Sequence, residues 1–91
     1  MGTLLTVEPP KINPRAPEPP FRQIAAWLRG GIMAGEYRPG QDPIPSEKDL
    51  QELFEVSRDT ARRAVSVLRD EGLVVTVPQR GSYVVPEAER P

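Results

Sequence analysis

Apolar residues recur at Phe21, Ile24, Ala25, Leu28 and Ile32, the i, i+3, i+4, i+7, i+11 stripe of an amphipathic helix. Pro20 suits the first turn of that helix. Gly30 and Gly31 near its end each cost about 1 kcal/mol against alanine, so a loose last turn is expected. Trp27 and Met33 lie off the stripe and read as cover for a neighbouring element. Arg38-Pro39-Gly40 is a turn signal, and Pro43 and Pro45 limit the next segment to a short extended piece. Ser46 and Asp49 match the serine-x-x-acid pattern that opens a second helix, with Leu50, Leu53 and Phe54 inward. After a brief turn at Glu55-Val56, Ser57 caps a third helix that carries Ala61, Ala64, Val65 and Leu68 inward and ends at Gly72. Leu73 to Val77 is apolar and β-branched, Pro78 to Gly81 turns, and Ser82 to Val85 returns as a hairpin with a four-residue connection.

Three helices, a tight turn between the second and third, and a hairpin make a mainly α chain with a small β element (α+β). This is the order of a winged helix-turn-helix, with three helices followed by a two-stranded wing. The expected domain covers residues 21–85. Residues 1–20 hold six prolines (Pro9, Pro10, Pro14, Pro17, Pro19, Pro20) and no periodicity, and read as a disordered, proline-rich arm. Residues 86–91 read as a flexible tail.

Composition narrows the chemistry. Ninety-one residues hold one small domain and leave no room for a second of ordinary size. There is no cysteine and no histidine, which removes disulfides, thiolate metal sites and the commonest general base. No cofactor or metal site is expected, and neither serine cap has a base to make it a nucleophile. The carboxylates at Glu47, Asp49, Glu52 and Glu55 read as a solvated helix face, so no enzyme is expected. No apolar run approaches the ~20 residues of a membrane span, and the N-terminus lacks the pattern of a secretory signal. A cytoplasmic protein is the default.

The net charge of −1 speaks for the whole chain, whereas a polyanion responds to a local patch. Between Val56 and Arg69 stand Arg58, Arg62, Arg63 and Arg69 against one acid, Asp59. On a helical wheel Asp59, Arg62, Arg63 and Ser66 oppose the apolar side, with Arg58 on the flank nearest the start. In helix-turn-helix proteins that N-terminal half enters the major groove, and an arginine fork matches the N7 and O6 of guanine. On an arbitrary helix such a run is more often a solvated face. The capped helix before it and the hairpin after it favour a base-reading helix over about 57–71. Ser46 and Ser57 are explained as caps, and the same helix starts present free N–H groups to phosphates.

The residues that carry this pattern resemble the GntR family of transcriptional regulators. The resemblance runs through Phe21-Arg22-Gln23-Ile24-Ala25, the loop Gly35-Glu36-Tyr37-Arg38-Pro39-Gly40, the stretch Pro45 to Leu50, and Val56-Ser57-Arg58. It continues through Arg62-Arg63-Ala64, Leu68, Glu71-Gly72-Leu73-Val74 and Gly81. It implies sequence-specific binding of double-stranded DNA as a regulator, as a repressor on a palindromic operator if two copies bind as a homodimer. Such a protein would be cytoplasmic, and nucleoid-associated when bound. Lys48 stands where the family has a basic residue that reaches the DNA backbone. Arg58, Thr60 and Arg62 stand where members make their main contacts, with Asp59 and Arg63 as further contributors. Gly81 stands at the tip of the wing, residues 78–82, at the minor groove, with Arg80 beside it.

Three departures accompany the resemblance. One extra residue, with Pro43, lies between Gly40 and Pro45 and leaves the short strand before the second helix open. Glu55 sits where glycine is common, and Ala61 replaces a usual valine. Family members also continue into an effector-binding domain for which these 91 residues have no room. The competing reading is a winged-helix assembly module whose arginine face binds an acidic protein partner.

Overall fold

The computed structural model describes residues 11–91. Helix α1 spans Pro20–Met33 with proline in its first turn, where a missing N–H is no loss. It buries Ile24, Ala25, Leu28 and Ile32 and leaves Phe21 half-buried at its start. The helix continues through Gly30 and Gly31 instead of loosening there. At Gly31 a Cβ would lie 3.1 Å from both the Glu36 carboxylate and the Tyr37 ring. Glycine thus lets the next loop fold back on the helix end, where the Glu36 N–H donates to the Gly31 carbonyl at 3.0 Å.

Helix α2, Glu47–Phe54, starts with a complete capping box. Ser46 Oγ accepts from the Asp49 N–H at 3.0 Å, and Asp49 Oδ2 accepts from the Ser46 N–H at 3.1 Å. Leu50 and Phe54 face the core, whereas Leu53, expected inward, lies on the flank and is 45% exposed. Trp27 covers this neighbour as expected, edge-on to Phe54 with ring centroids 5.3 Å apart. Glu55 ends α2 in the left-handed region, φ 55° and ψ 49°.

Helix α3, Arg58–Asp70, is capped by Ser57 and buries Ala61, Ala64, Val65 and Leu68. It packs on α1, on α2 and on the first strand of the hairpin, so it is the central element of the core. Gly72 follows with φ +75°, the stop expected there. Strands β1, Val74–Val77, and β2, Gly81–Val84, pair antiparallel with Val74 opposite Val84 and Thr76 opposite Ser82. Val77 pairs with Gly81, so the connection is the three residues Pro78 to Arg80, one fewer than the expected four. Gln79 supplies the left-handed step, φ 65°, that closes this shorter turn.

Among the described residues before α2 no strand forms. The segment with the extra residue makes one bridge, Pro43 to Tyr83, and one bond from the Ile44 N–H to the Ser82 carbonyl at 2.9 Å. Those contacts still tie the outer edge of the hairpin to the body.

Both ends of the domain differ from expectation where they are described. Residues 1–10 of the expected disordered arm lie outside the described residues, but Lys11 to Pro19 forms a turn held on α1. Proline removes donors from this stretch, and one side chain of α1 meets what remains. Gln23 Oε1 accepts from the Asn13 N–H, and Gln23 Nε2 donates to the carbonyls of Asn13 and Glu18, each at 2.9 Å. Ile12 packs against the core. The expected flexible tail also folds back. Glu87–Glu89 forms one 3-10 turn, and Arg90 Nε donates to the Val85 carbonyl at 2.9 Å. Pro91 lies over Gly72, where a Cβ would come within 2.7 Å of its ring.

Candidate nucleic-acid interface

The start of α3 presents its polar side chains from a helix turn fixed by its cap. Ser57 Oγ accepts from the Thr60 N–H at 3.1 Å and donates to Thr60 Oγ1 at 3.0 Å. Because Thr60 Oγ1 accepts there, its own hydrogen is left to donate outward. Arg58, Asp59 and Arg62 are exposed beside it.

Two of these arginines are partnered. Arg62 Nη2 donates to Asp59 Oδ1 at 2.8 Å, a single-point contact that leaves Nε and Nη1 uncommitted. Arg58 Nε lies 3.7 Å from Glu47 Oε1, close enough for attraction but longer than a hydrogen bond. That pair joins the start of α3 to the start of α2. Both pairs are exposed, so each adds little to stability and readily gives way to a stronger anion.

The start of α2 in turn meets the wing. Ser46, Lys48, Arg80 and Gly81 line one crevice, together with Glu47 and Arg69. Thus Ser46, Lys48, Ser57, Arg58, Asp59, Thr60, Arg62, Arg80 and Gly81 form a connected polar surface over α2, α3 and the wing tip. Gly81 has φ +124°, a conformation rare for any residue with a side chain. A Cβ there would also sit 3.4 Å from Pro43.

Arg63 departs from this group. Its guanidinium lies 4.3 Å from the centre of the Phe21 ring, a cation–π contact with the start of α1. Arg22 reaches the same ring at 5.2 Å. The helical wheel placed Arg63 outward correctly but carried no information about which neighbour would cover it. Two other groups were missed. Glu47 partners Arg58 across an interhelical gap without a periodic signal, and Arg69 joins the wing through Thr76.

Comparison with known proteins places these features in a family. A family model described as "Bacterial regulatory proteins, gntR family" matches residues 20–84. The chain is 41% identical over 73 residues to the HTH-type transcriptional repressor NagR of Bacillus subtilis, a stretch covering 80% of this chain and 30% of NagR. It spans less than a third of that curated relative's length. Among solved structures, the DNA-binding domain of AraR in complex with operator ORX1 superposes with a TM-score of 0.77 at 27% identity, covering 88% of this chain and all of that one. YtrA from Sulfolobus acidocaldarius, a GntR-family transcription factor, gives a TM-score of 0.73 at 34% identity over 84% of this chain and 79% of its own. The relatives are transcriptional regulators rather than enzymes. The fold is the winged helix of these domains, and the chain belongs to the gntR family of bacterial regulatory proteins.

Proposed function

We propose that this chain binds double-stranded DNA sequence-specifically as a transcriptional regulator, with α3 in the major groove and the wing tip at the minor groove. The observation that carries the reading is the connected polar surface over the starts of α2 and α3 and the wing, on a fold shared with an operator-bound domain. In this reading Arg58, Thr60 and Arg62 face base edges, with Asp59 accepting from a cytosine amino group or orienting Arg62. Lys48 meets the phosphate backbone, and Arg80 and Gly81 meet the minor groove. The capped helix starts at Ser46 and Ser57 turn N–H groups toward phosphates. Arg63 contributes through its contact with Phe21 and as a nearby positive charge.

Repression is the direction of regulation that a relative such as NagR supports. Two copies acting as a homodimer on a palindromic operator, in the cytoplasm and on the nucleoid when bound, complete the reading. No helix among the described residues is long and apolar enough to cross a membrane, which agrees with it.

Selection of duplexes from a random-sequence library tests the proposal. A common motif should emerge, bound at least about a thousandfold more tightly than non-specific DNA at physiological salt. If no motif is enriched over repeated rounds, the regulator reading fails. The arginine surface would then be assigned to an acidic protein partner.

A further inference from the structure

We propose that Arg69 is a positioning residue for DNA binding: it braces the wing against α3 and thereby sets where Arg80 meets the DNA. The proposal rests on the reading that the wing contacts DNA. It begins with the hairpin itself, since a two-stranded ribbon has little stability of its own and takes its angle from what it touches. Val74 and Val84, opposite one another, are buried in the core and anchor the base of the ribbon. Side chains two positions on share that face, so the next pair toward the tip is Thr76 opposite Ser82. There the ribbon has left the core, and polar contacts replace apolar ones.

Arg69 spans that gap. Its Nη1 donates to Thr76 Oγ1 at 2.9 Å and its Nη2 to Ser66 Oγ, on its own helix, at 3.0 Å. Thr76 Oγ1 and Ser82 Oγ are also 2.9 Å apart, so both strands join one network. Among the described residues Arg69 makes no ion pair, in contrast to Arg58 and Arg62. A long cationic side chain on an exposed surface is thus held by two hydroxyls, one of them bonded to a third, one register pair from the tip that carries Arg80. The same guanidinium lines the crevice between the start of α2 and the wing, beside Lys48 and Arg80.

Removing Arg69 leaves Thr76 and Ser82 bonded to each other and no polar group buried without a partner. The fold should therefore survive, while the tip gains freedom. This separates a bracing role from a structural one.

The test is a double-mutant cycle of Arg69→Ala and Arg80→Ala, read as affinity for a duplex that the unmodified chain has selected from a random library. Thr76→Val, which keeps shape and removes the acceptor, serves as a second way to break the brace. Arg69→Ala and Thr76→Val should each weaken binding about five- to tenfold, within the range of coupling between contacting groups. Both should leave the melting temperature within a few degrees. In the Arg80→Ala background their effect should vanish, and hydroxyl-radical protection at the wing's minor-groove segment should be lost in all the variants. The slope of log K against log salt should fall by about 1 in Arg80→Ala and by no further amount when Arg69→Ala is added, whereas a phosphate contact of Arg69's own would lower it again. A full additive effect, or a further reduction of the slope, in the Arg80→Ala background overturns bracing in favour of direct contact. If Arg80→Ala itself has no effect, the wing reading fails and the brace has nothing to position.

Discussion

At the scale of single residues, side chains are held in places where a small change has a calculable sign. Glu55 adopts φ 55° and ψ 49° in the turn between α2 and α3, a conformation that costs a residue with a Cβ roughly 1–2 kcal/mol. Its side chain is exposed. Glu55→Gly should therefore raise stability, by about 1 kcal/mol once the extra freedom of glycine in the unfolded chain is subtracted. Urea unfolding checks this, and a lower midpoint would mean that the Glu55 side chain contributes more than its strain costs. Asp59 has a different kind of consequence. Its carboxylate holds Arg62 at 2.8 Å and places negative charge on the surface assigned to DNA. Asp59→Asn should tighten binding to non-specific duplex several-fold by removing repulsion from phosphates. Binding to the selected motif should rise less, so the specificity ratio narrows. Titration of both duplexes at one salt concentration measures it, and an unchanged ratio would sink the orienting role of Asp59.

At the scale of elements, the helices follow directly from their patterns, because each has a stripe, a start and a stop written in adjacent residues. Ser46, Ser57 and Gly72 act at the positions their types predict. The hairpin was legible as an element but not in register. A four-residue connection would set Val77 opposite Ser82 and Thr76 opposite Tyr83, whereas the three-residue turn sets Thr76 opposite Ser82. That shift of one decides which side chains share a face, and so the Arg69 network could not be read in advance. Contacts between elements were equally hidden, because they join residues far apart in the chain. Arg29 on α1 and Glu71 at the end of α3 form a two-point pair, Nε to Oε1 at 2.9 Å and Nη2 to Oε2 at 2.6 Å. The hydrogen bonds from Arg29, more than its charge, hold the Glu71 carboxyl below the usual glutamate range. A lowered folded value means stability that is present above the ordinary value of about 4.3 and lost as pH falls through the lowered one. Both side chains are partly exposed, so the pair contributes no more than about 1 kcal/mol. Glu71→Gln should therefore melt a few degrees lower at pH 7, and the gap should begin to close as pH falls below about 4.3 and keep narrowing with further acidification. A gap that stays constant from pH 7 into acid would assign the effect to packing instead.

At the scale of the molecule, a chain of net charge −1 must bind a polyanion through a minority of its surface, which fixes how binding responds to salt. If Lys48, Arg58, Arg62 and Arg80 each neutralise one phosphate or its equivalent, one copy should show a slope of log K against log salt of about −3 to −4. Two copies on a palindrome should double it. The domain measures 37 × 36 × 25 Å, and successive major grooves on one face of B-DNA are about 34–36 Å apart. Copies centred on half-sites one turn apart would therefore lie side by side with their flanks in contact. Half-sites separated by a further 5 base pairs, about half a turn, would put the copies on opposite faces and out of reach of each other. Binding to the one-turn spacing should then be cooperative, and binding to the lengthened site should fall to that of two independent half-sites with the single-copy slope. Mobility-shift titrations on the two duplexes distinguish these states, because a cooperative pair passes directly from free to doubly bound DNA. Equal affinity and equal slope on both spacings would show that each copy binds alone, and that pairing on DNA requires contacts outside residues 11–91.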